Sequence, residues 1–315
     1  MNEVLRVLDR FLKKRGYKIK KHHEFNLSPL KNFEGLIDQK KVYDTFDSNK
    51  KDTKSRLESL TVCLRTCIND KRTNGRQSAL TGVNQDEHLL KCINSLIVSI
   101  KHACISNKNI KLIIFDDRSR DDVLIKIENL CKKLTCDWRI ITTDKPGQGE
   151  SLYQNFVYAK SSDGLFYFCE DDYLHSKTAV LEMIEFYSRI YNQTKTHLLL
   201  HPQEHENIFR QFNYPSYILY TDKRRWRTIA HATHVFFTHA EVVKEYWKYF
   251  ENTKYVRTKK NRHLGSEKET TDNLFKYIPG FSPIPAIAAH LQTEHCLPPF
   301  FNWRELWHEQ DGCLK

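Results

Sequence analysis

FYFCEDDYLH, Phe166–His175, ends an apolar run on three consecutive carboxylates, Glu170, Asp171 and Asp172. Like charges at that spacing repel one another, and burial raises the cost. A solvated turn is one reading, and a site where a cation relieves the repulsion is the other. The flanking pattern bears on the choice. TVCLRT (61–66), KLIIF (111–115) and WRIIT (138–142) read as strands, as does LFYFC (165–169). Helical runs alternate with them. DEHLLKCINSLIVSIKHAC (86–104) places Leu89, Leu90, Ile93, Leu96, Ile97 and Ile100 on one face. DDVLIKIENLCKKL (121–134) opens on carboxylates that suit a helix N-terminus. ESLYQNFVYAK (150–160) and SKTAVLEMIEFYSRIY (176–191), the latter with Ser176 as expected cap, complete the series. Four strands alternating with helices predict right-handed βαβ units: an α/β fold with a mostly parallel, mixed sheet flanked by helices.

In such sheets, ligands bind beyond the carboxyl ends of the strands. The conspicuous polar groups fall there: Arg65 and Thr66, DDRS (116–119), DKPGQGE (144–150) and EDDY (170–173). With the strands adjacent, these groups converge on one rim. The chain has neither GxGxxG after its first strand nor GxxxxGK[ST] anywhere, so phosphate charge would be met by a divalent cation on carboxylates. Oxygen ligands suit Mg²⁺ or Mn²⁺. Asp172 is the best-placed ligand, with Glu170 on the same side of an extended chain and Asp171 on the other.

TVCLRT, IIFDDRSRDD, DKPGQGESLYQNFVYAK and LFYFCEDDYL, in that order across about residues 60–175, resemble a GT-A (Rossmann-like) glycosyltransferase. In particular, they resemble the inverting glycosyltransferase family 2 group. The resemblance implies metal-dependent, inverting transfer of a sugar from a nucleoside diphosphate sugar, UDP first, to a hydroxyl of a saccharide or glycolipid acceptor. It also implies surface polysaccharide or glycolipid synthesis. Asp117, with Asp116, would bind the base or ribose, and Asp172 with Glu170 would hold Mn²⁺ or Mg²⁺ on the diphosphate. Arg65, Thr66, Gly149 and Asp171 belong to the same nucleotide-sugar rim, and Arg65 and Lys71 are candidate phosphate contacts. Two departures stand out: Arg118 replaces the usual glycine, and Glu170 the leading Asp of the metal motif.

In the C-terminal half THLLL (196–200), YILY and HVFF read as strands and 240–251 as a helix with Val243, Trp247 and Phe250 on its apolar face. GSEKETTDNLFKYI then opens a short helix. The resemblance places a general base there, Asp272 first and Glu269 second; the simpler role for either is to complement the helix dipole. Some GT-A enzymes take a third metal ligand from a C-terminal histidine. His290 is the candidate, with His295 behind it, although a lone histidine is commonly structural. Phe300, Phe301, Trp303 and Trp307 suit acceptor stacking or simple packing.

Hydrophobic residues at 40% over 315 positions predict a globular chain, and no uninterrupted apolar run approaches the roughly 20 residues of a membrane span. The expected divisions are an N-terminal basic, helical extension and linker (1–58) and two halves of one domain, 59–195 for donor binding and 196–315 for the acceptor. Val4, Leu5, Val7, Leu8, Phe11 and Leu12 form a helical stripe ahead of KKRGYKIKKHH. That helix either packs on the domain or makes peripheral contact with an anionic membrane. DSNKKDTKSR (47–56) reads as the linker. The start does not read as a secretory signal. Nine cysteines without a CxxC pair, several of them in apolar runs (Cys63, Cys92, Cys131, Cys169), predict reduced thiols and a cytoplasmic, membrane-associated or free, protein.

The net charge of +11 favours an anionic partner. DKRRWR (222–227) is the densest basic stretch, expected either on an anionic acceptor group or on a polyanion, but no nucleic-acid module is visible. HPQEH (201–205) matches a zinc-hydrolase pattern, but Pro202 and the preceding strand set it at a strand exit. A nucleotidyltransferase making a nucleotide sugar is the closest alternative. Its expected glycine-rich loop after the first strand is not evident in LRTCINDKRTNGRQ.

Overall fold

β1 (Leu60–Thr66) is buried along its whole length because it lies between two parallel neighbours, β2 (Ile110–Asp116) and β4 (Leu165–Glu170). β3 (Asp137–Thr142) pairs outside β2, also parallel, and exposes alternate residues as an edge strand does. The computed structural model describes residues 59–69, 78–106, 109–204, 217–254 and 265–312, with Leu8, Phe11, Leu12, Lys14–Tyr17, Leu30 and Phe33. Most of the N-terminal helix and basic run, the linker 47–56, Lys71 and His205 lie outside the described residues.

Successive strand residues point to opposite faces, and the packing follows that alternation. Val62, Leu64, Leu112, Ile114, Tyr167 and Cys169 join the core cluster shared with α1 (Gln85–Ser106), α2 (Asp121–Cys131) and α4 (Ala179–Thr194). Cys63, Ile113, Phe115, Phe166 and Phe168 belong to a second cluster, against Leu152 and Phe156 of α3 (Gln148–Lys160). The alternation sets the site. Arg65 and Glu170 continue the α3 side, and Asp171 continues the side of Tyr167 and Cys169. α1 is long and apolar enough by composition to cross a bilayer, but it is the central helix of the first core. Leu30 and Phe33 are also buried in that core, with Phe33 5.7 Å from the Phe281 ring, so the N-terminal segment contributes to the main fold. Leu8 and Phe11 are 46% and 50% exposed.

Beyond β4 the sheet turns largely antiparallel. β9 (Phe236–His239) follows β4, then β6 (Leu199–Leu200), β10 (Gly280–Ile284), β8 (Arg225–Ile229) and β7 (Ile218–Tyr220), giving the order β3-β2-β1-β4-β9-β6-β10-β8-β7. A separate ribbon pairs β5 (Tyr173–His175) with β11 (Ala288–His290).

Several expectations shift. Ser176 does not cap α4: its amide donates to Ile287 O at the end of the β5–β11 ribbon, and the helix starts three residues on, at Ala179. The run 240–251 divides into α5 (Ala240–Glu245) and α6 (Trp247–Phe250), followed by a 3-10 turn. The second half of DKRRWR, Arg225–Arg227, opens strand β8. Trp226 is buried and stacked 4.2 Å from Phe186, and Arg224 forms a forked ion pair with Glu182. Cys63, Cys92, Cys131 and Cys169 are buried free thiols, as their apolar runs imply.

Gly164 is the entry to β4, with φ +87, and a Cβ there would stand 2.5 Å from the Ser59 carbonyl oxygen. That carbonyl accepts the Leu165 amide at 2.8 Å, so neither chain can retreat without breaking the start of the β1–β4 ladder. Gly164→Ala is therefore expected to cost about 2–4 kcal/mol, combining left-handed strain and overpacking. Thermal unfolding should show a midpoint lower by roughly 5–10 °C. An unchanged midpoint would contradict the close approach.

Candidate active site

The parallel registers pair Thr66 with Asp116, Arg65 with Glu170 and Asp116 with Thr142, so the strand-end groups do share one rim. Asp116 organises the turn after β2. It accepts from Thr66 Oγ1 (2.8 Å), from the Ser119 amide (2.9 Å) and from the Ser119 hydroxyl (2.5 Å). Asp117 reaches across to the loop before α3, where Oδ2 accepts the Gly147 amide at 2.8 Å. Gly149 lies in the first turn of α3. Arg118, the residue in place of the family's glycine, has φ +59, the left-handed region that glycine adopts without cost. Its guanidinium bonds Asp117 Oδ1 (3.0 Å), Thr143 O (3.3 Å) and Asp144 O (3.2 Å), tying the ends of β2 and β3 together.

Arg65 is an organiser on the α3 side. It pairs with Glu170 and donates to Ser151 Oγ at 3.1 Å. The Glu170 carboxylate is thereby held on that side, while Asp171 turns the other way and accepts the Cys67 amide at 3.2 Å. Asp172 is buried with His290: His290 Nε2 stands 3.4 Å from Asp172 Oδ2. Glu170, Asp172 and His290 each offer a ligand atom, and these atoms lie within 4.8 Å of one another. Burial works against a charge on His290, but Asp172, with a smaller contribution from Glu170, outweighs it and lifts the ring to about 10. Two carboxylates and an imidazole this close together, with Asp172 and His290 buried and Glu170 half-buried, are a donor set that fits Mg²⁺ or Mn²⁺. His295 is exposed on the 3-10 turn Glu294–Cys296 and stands outside this group.

β11 positions His290. Its ring stacks on Tyr173 (centroids 4.4 Å apart), and its amide donates to Gln203 Oε1 at 2.6 Å. Gln203 belongs to HPQEH, whose described residues 201–204 are an irregular strand exit and not a helix, and this stretch supports the histidine. Gln203 and Ser151 were not anticipated from sequence, and Tyr173 was placed on the rim only as part of EDDY, since only pairing across the fold sets these side chains against the site.

Asp272 opens α7 (Thr271–Leu274). Its carboxylate accepts from His231 Nδ1 at 2.9 and 3.0 Å and from the Ala232 amide at 3.4 Å. Glu269 ends the preceding 3-10 turn, half-buried. His234 links the two halves. Its Nε2 meets Thr270 Oγ1 at 2.9 Å, and it lies within electrostatic reach of Arg65, Glu170 and Asp272. Burial first, then Arg65, push it down to about 4, so it is neutral. Thr233 beside it bonds Tyr173 OH at 3.0 Å, so the segment 231–234 runs from the Asp272 carboxylate to the His290 stack. Of the C-terminal aromatics, Trp307 is packed inside, whereas Phe300 is 93% exposed. Among the described strand-end groups, the fold therefore brings the donor-side carboxylates, His290 and the Asp272 loop to one end of the sheet.

A mixed sheet whose parallel half carries paired acidic motifs at its carboxyl ends is the architecture of a GT-A glycosyltransferase. The chain belongs to glycosyl transferase family 2, whose signature matches residues 83–247, more than half of its length. It is a glycosyltransferase. No curated protein matches it in sequence. Among solved structures it is similar to residues 1–349 of TarS from S. aureus, at 13% identity and TM-score 0.41 over 71% of this chain; it spans 60% of that one. A complex of the same TarS fragment with UDP-GlcNAc gives 13% identity and TM-score 0.40, with 71% of this chain and 58% of that one covered. A UTP-bound UGPase from Acinetobacter baumannii gives 8% identity and TM-score 0.42, over 80% of this chain and 92% of that one.

Proposed function

We propose that the chain transfers a sugar from a nucleoside diphosphate sugar, UDP first, to a hydroxyl of a saccharide or glycolipid acceptor, with inversion at the anomeric carbon. The observation that carries this reading is the convergence of Glu170, Asp172 and His290 within 4.8 Å at the end of β4, beside Arg65 and joined to the Asp272 loop through the segment 231–234. Asp117 and the turn it holds take the base and ribose. Asp172, Glu170 and His290 hold Mn²⁺ or Mg²⁺, which when bound supplies positive charge for the leaving diphosphate. Arg65 keeps Glu170 aimed at the cation and partly offsets its charge. Asp272 accepts the acceptor proton as the new bond forms, from the face opposite the leaving group. His231 and the Ala232 amide fix the direction of that carboxylate. Synthesis of surface polysaccharide or glycolipid at the cytoplasmic side of a membrane is the setting this reading fits.

A thermal-shift screen tests it, because a ligand that binds only the folded chain raises its melting temperature. UDP-, GDP-, CMP- and dTDP-sugars are compared with and without Mn²⁺. One nucleotide sugar should raise the midpoint, and Mn²⁺ should enlarge the rise. At a concentration a hundred times Kd, the gain is about 2.7 kcal/mol. No rise with any of the four, alongside a rise with RNA, would overturn the reading.

A further inference from the structure

We propose that His197, His239 and Glu241 form a second cation site, of the zinc type, at the opposite end of the sheet from the candidate active site. In the β4–β9 ladder His239 pairs with Leu165, the first residue of β4, whereas Glu170 is the last. The two groups are thus separated by roughly 17 Å along that strand. The three side chains offer ligand atoms within 4.8 Å of one another.

They come from three places: the segment entering β6, the end of β9 and the first turn of α5. His197 is oriented from both sides. Its Nδ1 meets Tyr187 OH at 2.8 Å, and its ring stacks on Tyr191 (centroids 4.8 Å apart). Since a carboxylate only accepts, Nε2–H donates to Glu241 Oε2 at 2.9 Å; zinc would take the place of that proton, with Nδ1–H then donated to the Tyr187 hydroxyl. A metal-bound histidine is held in the same way, by a partner on its other nitrogen. His239 stacks 4.7 Å from His197, and its Nδ1 accepts the Glu241 amide at 3.1 Å. The two rings lie 14° from parallel, so sharing an ion turns at least one of them, and ligation through His239 Nε2 keeps the cap in place.

Two imidazoles and one carboxylate suit zinc, with a fourth position left to water. The side-chain exposure of Glu241, 63%, gives the ion a way in. By contrast, the oxygen-richer set of Glu170, Asp172 and His290 suits Mg²⁺ or Mn²⁺. The different donors let one experiment tell the sites apart. Bound zinc would tie the start of α5 to the chain entering β6 and stiffen the far end of the sheet.

Equilibrium dialysis of the untagged chain against Zn²⁺, with metal analysis of the protein, reads the site directly. Asp172→Asn removes the carboxylate central to the first group and is expected to keep one zinc per chain. Adding Glu241→Gln, at an exposed position and with circular dichroism checking the fold, should weaken zinc binding at least tenfold. Tyr187→Phe should weaken it roughly tenfold by releasing the His197 ring. Loss of all zinc in Asp172→Asn alone would overturn the proposal. So would an unchanged affinity in the double variant, which would leave His197 and Glu241 as a surface ion pair only.

Discussion

Asp172→Asn is expected to lower Mn²⁺-stimulated turnover of the nucleotide sugar by roughly a thousandfold, about 4 kcal/mol of transition-state stabilisation. The carboxylate is buried, 3.4 Å from His290, in the one place where Glu170 and an imidazole converge on it. Asparagine matches its shape and removes its charge, so packing against β11 is retained while the anion that would draw the cation is lost. Neighbouring groups do not substitute for it. Arg65 occupies part of Glu170, and His290, which loses with Asp172 the anion that holds its proton, is left a neutral donor that adds no negative charge. Initial rates of donor hydrolysis with Mn²⁺ and with chelator, beside circular dichroism, check the expectation. The variant should show the same low rate in both. A rate that still rises with Mn²⁺ to the wild-type level would remove Asp172 from the metal assignment.

The legible part of the fold was the part built from buried parallel strands. LTVCLRT and LFYFCE are screened by helices on both faces, so they read as apolar runs that stop at a polar residue, and the stop marks the rim. The split of Glu170 and Asp172 from Asp171 followed from the same two-residue period. β8 was hidden because RWRTI alternates cations with apolar residues, and one face of a half-buried strand then looks like a basic patch. β5 and β11 are three residues each, too short for any period, yet their pairing sets His290 against Tyr173. Gln203 holds the His290 amide from 87 residues away, and His231 meets Asp272 across 41. No local pattern encodes such partners, because the topology alone decides which loops share a strand end.

Asp272→Asn should lower transfer by roughly 10²–10⁴-fold, the usual contribution of a positioned general base, while leaving metal-enhanced donor binding in place. Its carboxylate sits at a helix start and is oriented by the His231 ring and the Ala232 amide, whereas Glu269 has no comparable hold on its side chain among the bonds described. Glu269→Gln is accordingly expected to cost much less, and the reverse ranking would exchange the two assignments. The variant also has a signature in stability. Burial pulls the His231 pKa down, but its hydrogen bond and charge pairing with Asp272 push it up further, leaving it above its ordinary 6.5. A group whose folded pKa is raised stabilises the fold fully below its unfolded value and loses that contribution as pH climbs through the folded one. The stability gap between wild type and Asp272→Asn should therefore be widest below about pH 6.5 and narrow at higher pH, as the histidine loses its proton. Urea unfolding across that range measures it. A gap independent of pH would mean that His231 is not ion-paired with Asp272, and the carboxylate would then need another group to hold it toward the acceptor.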